Sequence, residues 1–210
     1  MFFIEKISKN VVSIIWGNSI VNEDEKEIME YGALICILQI MGVCAVMIFG
    51  SIFGILVQAL VFYFTTCILR KYSGGVHSDS PNRCMIVGTF VSTFIPLCIN
   101  RIFKFFPFNL VVFLEIIILI FCYYTILKLA PVDSVSKPIV NDTFKKQLKI
   151  KSILTMLIMT ILILVLMSLY IRYNYILLLQ ISQCICFACL WQCYTLTQFG
   201  HKIMSKIDNI

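Results

Sequence analysis

The sequence predicts an all-α integral membrane protein with six transmembrane helices, an N-terminal amphipathic interfacial helix and both termini in the cytoplasm. Of its 210 residues, 60% are hydrophobic and only 13% are charged, whereas ordinary soluble domains carry about 25% charged residues. The charges are also segregated, since residues 31–69 contain none. Over such lengths in lipid, a helix satisfies its own backbone hydrogen bonds, which an open strand does not.

Six apolar segments are long enough to cross a bilayer as helices. The charge-free run is too long for one span, at about 1.5 Å per residue against a hydrocarbon core of about 30 Å. It therefore turns back once, near Gly50, Ser51 and Gly54. The spans are predicted near residues 31–49, 52–69, 84–100, 106–127, 152–171 and 175–194. Two polar segments between them, 70–84 and 128–151, are expected to face the cytoplasm.

The first 22 residues are predicted to form an amphipathic helix on the membrane surface. Ile4, Ile7, Val11 and Ile14 recur at helical spacing, with polar residues at other positions. The segment has neither the continuous apolar core nor the small-residue cleavage site of a signal peptide. We therefore expect a single membrane domain, 1–210.

The distribution of lysine and arginine predicts the orientation of the protein. The side that would hold the termini and the two polar segments collects 14 basic residues, and the other side holds three, Arg101, Lys104 and Arg172. The basic side is therefore expected to be cytoplasmic. It would attract anionic lipid headgroups and an acidic partner; no nucleic-acid partner is expected.

Nine of the ten cysteines lie in the apolar spans, where a small apolar side chain explains them. Cys186, Cys189 and Cys193 share one helical face, but neither a histidine nor a carboxylate lies near them in the sequence. We therefore predict no metal site and no cofactor. Cys84 differs from the others because it lies at a boundary with water.

The segment RKYSGGVHSDSPNRC, residues 70–84, is the most unusual polar stretch of the chain. Gly74 and Gly75 allow the backbone to bend sharply after the second span. Ser80 followed by Pro81 is typical of a helix start, with a hydroxyl N-cap and proline at the first helical position. Cys84 is therefore predicted in the first turn of the third span.

A thiol at this place is suited to nucleophilic catalysis. The positive end of the helix dipole and the neighbouring Arg83 favour the thiolate, and backbone N–H groups at a helix start can stabilise an oxyanion. His77 is the candidate base, and later the acid that protonates a leaving amine. Each of three acids could orient this histidine, and the sequence does not choose among them: Asp79, Asp133 and Asp142.

Several features have more than one interpretation at this point. Glu115 is a functional candidate because an acid within a span is energetically expensive, but it could equally be a protonated packing residue. The basic segment 128–151 either fixes the topology or docks a negatively charged substrate. A small peptide transporter without covalent chemistry would also explain the spans, as would a non-catalytic scaffold. Neither explains why Cys84 and His77 share one loop.

The polar segments resemble those of a known family, the membrane peptidases of accessory gene regulator systems (the AgrB family). The first similarity is the spacing of Arg70, the Gly74-Gly75 pair, His77 and Cys84 after two spans. The second is APVDSVSKPI, residues 130–139, which is similar to the family's Ala-Pro…Lys-Pro-Ile segment. Length, number of spans and basic loops agree as well.

The resemblance implies that Cys84 is the nucleophile and His77 its partner. It implies further that Arg70 and Gly75 are needed for processing. We assign a supporting or substrate-contacting role to Arg70 and to five more residues of the two segments: Gly74, Gly75, Ser80, Lys137 and Pro138.

The resemblance also implies the substrate, an AgrD-like pro-peptide with an amphipathic leader, a cysteine or serine core and an acidic tail. The enzyme would remove the tail through a thioester on Cys84. The core nucleophile would then attack the thioester and release a macrocyclic thiolactone or lactone, the precursor of a quorum-sensing peptide. A homodimer is also implied. Binding of the leader by the bilayer and of the tail by the basic face would position the core for reaction.

Overall fold

The structure, a computed structural model, describes residues 7–8, 10–14, 23–76, 81–132 and 141–208. Within these ranges the chain is helical apart from short connections, and its only pairing of extended segments is one isolated β-bridge. The described residues of the N-terminal segment, 7–8 and 10–14, are helical too. The predicted all-α class is therefore confirmed for this part of the protein.

The described residues form seven longer helices and one 3₁₀ turn, Phe103–Phe105. In chain order the helices are α1 (Glu23–Ile52), α2 (Leu56–Ser73), α3 (Pro81–Ile102), α4 (Phe108–Leu129), α5 (Asp142–Tyr173), α6 (Ile176–Leu196) and α7 (Gln198–Asp208).

Five of these helices, α1 and α3 to α6, are long and apolar enough to cross a membrane, as in a multi-pass membrane protein. The sixth predicted span, 52–69, corresponds to α2. Its 18 residues would extend about 27 Å, close to the thickness of about 30 Å of a hydrocarbon core. However, its last turn carries Arg70 and Lys71. Six spans and cytoplasmic termini therefore stay predictions.

Helix α6 is the centre of the bundle. It packs against α2, α3, α4 and α5, while α1 packs against α2 and α3. In the most apolar window of α6, 61% of the residues are buried inside the protein, compared with 17–33% in the other four candidate spans. Because α6 is surrounded by protein rather than lipid, its polar side chains need partners on neighbouring helices.

Cysteines provide much of the packing surface of α6. Cys184, Cys186, Cys189 and Cys193 are completely buried, and Cys193 donates its thiol hydrogen to the carbonyl oxygen of Cys122 in α4. Small side chains of this kind allow helices to approach closely. Among the residues that the structure describes, no group of three or more potential ligands could hold a metal ion.

Polar side chains connect the helices far from the loop that follows α2. Gln58 of α2 donates to Gln180 Oε1 of α6 at 3.1 Å, and Gln180 Nε2 donates to Asn100 Oδ1 of α3 at 2.9 Å. Ser182 Oγ donates to Glu115 Oε1 at 3.1 Å. Glu115 is thus buried and bonded to a neighbouring helix, which favours the packing interpretation of this acid.

Two boundaries differ from the predicted ones. Of the three residues predicted at the first turn, Gly54 lies in it, with the left-handed φ of 67°, whereas Gly50 and Ser51 still belong to α1 and the turn is at Phe53–Gly54. Helix α5 begins at Asp142 rather than near residue 152, because Asn141 caps it: its side-chain oxygen accepts a hydrogen bond from the backbone N–H of Thr143 at 3.0 Å. Half of the predicted basic loop is therefore helix.

The predicted crossing of α2 can be tested with reporter fusions after Phe53, Gly74 and Asn174. If α2 and the other five helices all cross the membrane, alkaline phosphatase should be active after Phe53 and Asn174, and green fluorescent protein should fluoresce after Gly74. The same reporter result at Phe53 and Gly74 would mean that α2 does not cross and that the termini lie on opposite sides.

Candidate active site

Cys84 lies in the first turn of α3, which begins at Pro81 as the sequence predicts. Its side chain is partly exposed, unlike the thiols of α6. The first turn of a helix presents backbone N–H groups that have no acceptor within the helix, and it carries the positive end of the helix dipole. Cys84 is therefore accessible and is placed where developing negative charge can be stabilised.

One face of α2 lies next to Cys84. Tyr63, Cys67 and Arg70 recur at helical spacing on this face, and Tyr63 and Cys67 are close enough to Cys84 for electrostatic interaction. Gln39 of α1 supports this face, since its Nε2 donates to Cys67 Sγ at 3.1 Å. Cys84 thus lies near polar side chains of α2.

The backbone after α2 has a conformation that favours glycine. Gly74 has φ 69° and Gly75 has φ 130°, which are values that residues with a Cβ rarely adopt. A Cβ on Gly74 would collide with the carbonyl oxygen of Val132, and a Cβ on Gly75 would lie 2.8 Å from Thr195 Oγ1. Both glycines are therefore required by the backbone conformation and by close contact with neighbouring segments.

The C-terminal end of α6 holds this loop in place. Gln192 is completely buried, and its Nε2 donates to the carbonyl oxygen of Gly74 at 2.8 Å and to Ser73 Oγ at 3.0 Å. The backbone N–H of Val76 donates to the carbonyl oxygen of Thr195 at 3.2 Å. Because His77 directly follows Val76, α6 fixes the residue from which the candidate histidine extends.

Arg70 contributes to the same loop from α2. Its guanidinium donates to the carbonyl oxygen of Val76, and its own carbonyl oxygen accepts from the N–H of Gly74 at 3.0 Å, which ends the helix. The buried Nε of Arg70 has no hydrogen-bond partner among the described residues. Arg70 therefore stabilises the loop and keeps a donor that another group can use.

The second sequence motif meets the first at this loop. The N–H of Val132 donates to the carbonyl oxygen of Ser73 at 2.9 Å, and Val132 forms a parallel β-bridge with Gly74. The structure thus brings the beginning of the segment 130–139 against Ser73 and Gly74. Four of the predicted site residues lie outside the described residues: His77, Ser80, Lys137 and Pro138. Of the candidate acids, Asp142 is exposed at the start of α5, and Asp79 and Asp133 also lie outside.

Sequence reasoning missed Gln192 and Thr195. Their signal was present, because a glutamine and a threonine close to the end of an apolar span need buried partners. The sequence did not show that these partners are backbone groups of a loop more than 115 residues earlier in the chain, with Gln192 and Gly74 separated by 118 positions.

Comparisons with known proteins identify the family of this chain. The family model for accessory gene regulator B matches residues 3–196. The chain belongs to the AgrB family. AgrB-like protein 2 of Clostridium perfringens (strain 13 / Type A) is 36% identical over 211 residues, which cover 98% of this chain and 97% of that protein. An AgrB-like protein of C. perfringens (strain SM101 / Type A) is 35% identical with the same coverage.

More distant relatives match a smaller part of the chain. An AgrB-like protein of Listeria innocua serovar 6a is 24% identical over 160 residues, which cover 73% of this chain and 74% of that protein. No solved structure gives a significant match. Membership of the AgrB family implies involvement in the agr quorum-sensing system.

Substitution by alanine should destabilise the protein more at the two loop glycines than at a glycine within a helix. Gly74→Ala and Gly75→Ala are each expected to lower the free energy of unfolding by about 1–3 kcal/mol, because each forces a Cβ into a strained backbone conformation. Gly88→Ala is the control, since a Cβ there meets nothing within 4 Å and alanine favours helix. Thermal unfolding in detergent would measure this, and equal melting temperatures for all three variants would contradict the role of the loop.

Gln192→Leu is expected to release the loop, because it leaves the Gly74 carbonyl without its donor, at a cost of about 1–3 kcal/mol. The control is Gln180→Leu in the same helix, which also removes two hydrogen bonds. Both variants should lose similar stability. Faster amide hydrogen exchange at Gly74, Val76 and Val132 is expected only for Gln192→Leu, and equal exchange in both variants would contradict this assignment.

Proposed function

We propose that this AgrB-family protein is a membrane-embedded cysteine endopeptidase that processes an AgrD-like pro-peptide. It removes the acidic C-terminal tail through a thioester on Cys84 and yields a macrocyclic thiolactone or lactone precursor of the signalling peptide. The observation that carries the proposal is the placement of Cys84. Its thiol is partly exposed in the first turn of α3, beside a loop that α2 and α6 hold by hydrogen bonds.

The first step is acyl transfer. His77 accepts the proton of the Cys84 thiol, and the thiolate attacks the carbonyl carbon of the residue before the tail. Backbone N–H groups at the start of α3 stabilise the oxyanion. When the carbon–nitrogen bond breaks, His77 donates the proton to the leaving amine, which becomes the new N-terminus of the tail.

The second step releases the ring. The thiol or hydroxyl of the peptide core gives its proton to His77 and attacks the thioester carbonyl. The bond to Cys84 breaks, its sulfur is protonated again, and the enzyme is regenerated. No oxidant, metal or cofactor is needed for this balance, because every bond that breaks is replaced by one of the same oxidation level.

Within this proposal, Arg70, Gly74 and Gly75 position the histidine rather than react. The guanidinium of Arg70 and the carbonyl oxygen of Thr195 hold Val76, the residue before His77, from two sides. Ser80, Lys137 and Pro138 are assigned to the helix start and to substrate contact. The active site faces the cytoplasm, and the working unit is a homodimer in the bacterial cell membrane.

A peptide exporter without covalent chemistry is the alternative. The buried network of Gln58, Gln180 and Asn100 could belong to such a pathway, because polar groups inside a membrane are expensive to retain. It gives no reason for an accessible cysteine at a helix start beside a fixed loop. The two functions are separated by asking whether the peptide is shortened.

Cleavage should depend on Cys84 and His77. With a candidate pro-peptide and membranes that contain the protein, Cys84→Ser and His77→Ala are each expected to lower cleavage by at least about a hundredfold, because each removes a group that takes part in bond breaking. Cys98→Ser is the control, since this thiol lies within α3 away from its first turn. Mass spectrometry would detect the shortened peptide and, in the wild type, the acylated protein.

Cleavage that survives in both Cys84→Ser and His77→Ala would remove the enzyme assignment and favour the exporter. Cleavage that is lost equally in Cys98→Ser would contradict the assignment of Cys84 as the nucleophile.

A further inference from the structure

A cavity of about 300 Å³ lies where the end of α4 meets the first turns of α5. We call this cavity the lysine pocket. Ala130 and Pro131 form part of its wall, and four lysines surround it: Lys128, Lys145, Lys146 and Lys149. No carboxylate is among the described residues that line it. The sequence predicted a basic segment here, but only the fold brings these four lysine residues around one cavity.

The charges of this pocket are unfavourable to the protein alone. Lys145 and Lys149 are four residues apart on α5, where like charges repel. Lys145 lies at the end of the first turn of that helix, where the positive end of the dipole disfavours cations. Lys128, in the last turn of α4, donates to the neutral hydroxyl of Tyr124. A bound anionic group would relieve the repulsion between Lys145 and Lys149 and the unfavourable dipole at Lys145.

The pocket shares a wall with the loop of the candidate active site. Ala130 and Pro131 are followed by Val132, whose N–H donates to the carbonyl oxygen of Ser73 and which bridges Gly74. Two residues after Gly74 comes Val76, which precedes His77. The lysine pocket therefore adjoins the loop that precedes the candidate histidine in the chain.

We propose that the lysine pocket binds the acidic tail of the substrate while the peptide bond before that tail is broken. The inference rests on the proposed function, because the tail begins at the amine that His77 protonates. From that amine an extended peptide advances about 3.3 Å per residue, so a tail of a few residues is sufficient to cross the segment Ala130–Val132. Its carboxylates then meet four ammonium groups.

An anionic lipid headgroup is the competing occupant, since basic pockets between membrane helices also bind phosphates. The wall that the pocket shares with the loop after α2 favours the peptide as the occupant. A lipid site has no need to adjoin the loop before His77, whereas the tail must leave from that loop. The experiment therefore includes a lipid comparison.

The test compares two lysine pairs with the same spacing and charge. Lys145→Gln/Lys149→Gln removes two charges from the pocket, and Lys202→Gln/Lys206→Gln removes two from exposed positions of α7. With the pro-peptide, the pocket variant should raise KM about tenfold and change kcat less than twofold, and the α7 variant should change neither. A pro-peptide whose tail acids are replaced by Asn and Gln should show the same high KM with both wild type and pocket variant.

A second arm does not require cleavage. The isolated tail peptide, carrying a fluorophore, should bind the Cys84→Ala protein in nanodiscs of zwitterionic lipid, and Lys145→Gln/Lys149→Gln in that background should weaken binding about tenfold. Lys145→Glu/Lys149→Glu should abolish binding of the acidic tail and accept a tail with lysines instead, which also shows that the variant is folded.

The outcomes separate the two proposals. If the wild type does not cleave the pro-peptide but the isolated tail still binds, the proposed function would be overturned and the pocket assignment would stand. Equal KM values for the pocket and α7 variants, or no charge reversal of tail preference, would overturn the pocket assignment. A defect that appears only in nanodiscs with anionic lipid, whatever the charge of the tail, would assign the pocket to lipid headgroups.

Discussion

The hydrogen bond from Gln192 Nε2 to the carbonyl oxygen of Gly74 is the interaction on which the candidate site depends. It joins the central helix of the bundle to the loop between two other helices, where regular backbone pairing ends. A buried carbonyl oxygen without a donor is costly, and more so near lipid. The Val76 N–H, paired with the carbonyl oxygen of Thr195, obeys the same constraint. The loop therefore has a defined shape because buried backbone groups must be paired.

The two ends of α6 serve different purposes. Near its start, Gln180 and Ser182 bond to side chains of α2, α3 and α4 and hold the helices together. Near its end, Gln192 and Thr195 bond to backbone groups of a single loop. Packing in the middle relies on small, buried side chains such as Cys186 and Cys189. Helix α6 thus connects the loop at its end to the helices that are bonded to its start.

The loop also joins the two motifs that characterise the sequence. Val132 pairs with Ser73 and Gly74, so the segment after α4 and the segment after α2 form one structural unit. Cys84 lies at the start of α3, and the lysine pocket lies between the end of α4 and the start of α5, where Val132 directly follows the pocket wall and joins the loop. In the proposed reaction, the substrate would extend from Cys84 along this unit toward the lysines.

The sequence by itself determined the helical membrane class, the helix start at Pro81 and the position of Cys84 in the first turn of α3, because hydrophobicity and helix capping are local properties. It also indicated that Gly74 and Gly75 form a bend. Only the tertiary structure decided which groups these glycines contact, that Gln192 and Thr195 hold the loop, and that Lys128 and Lys145 share a cavity. The contacts of Gln192 and Thr195 join residues far apart in the chain and depend on the packing of α6 against α2, whereas the cavity depends on the packing of α4 against α5. The cap at Asn141 is also a local signal, but the hydrophobic pattern places only the apolar part of α5, because the helix begins in polar residues and continues into the membrane segment.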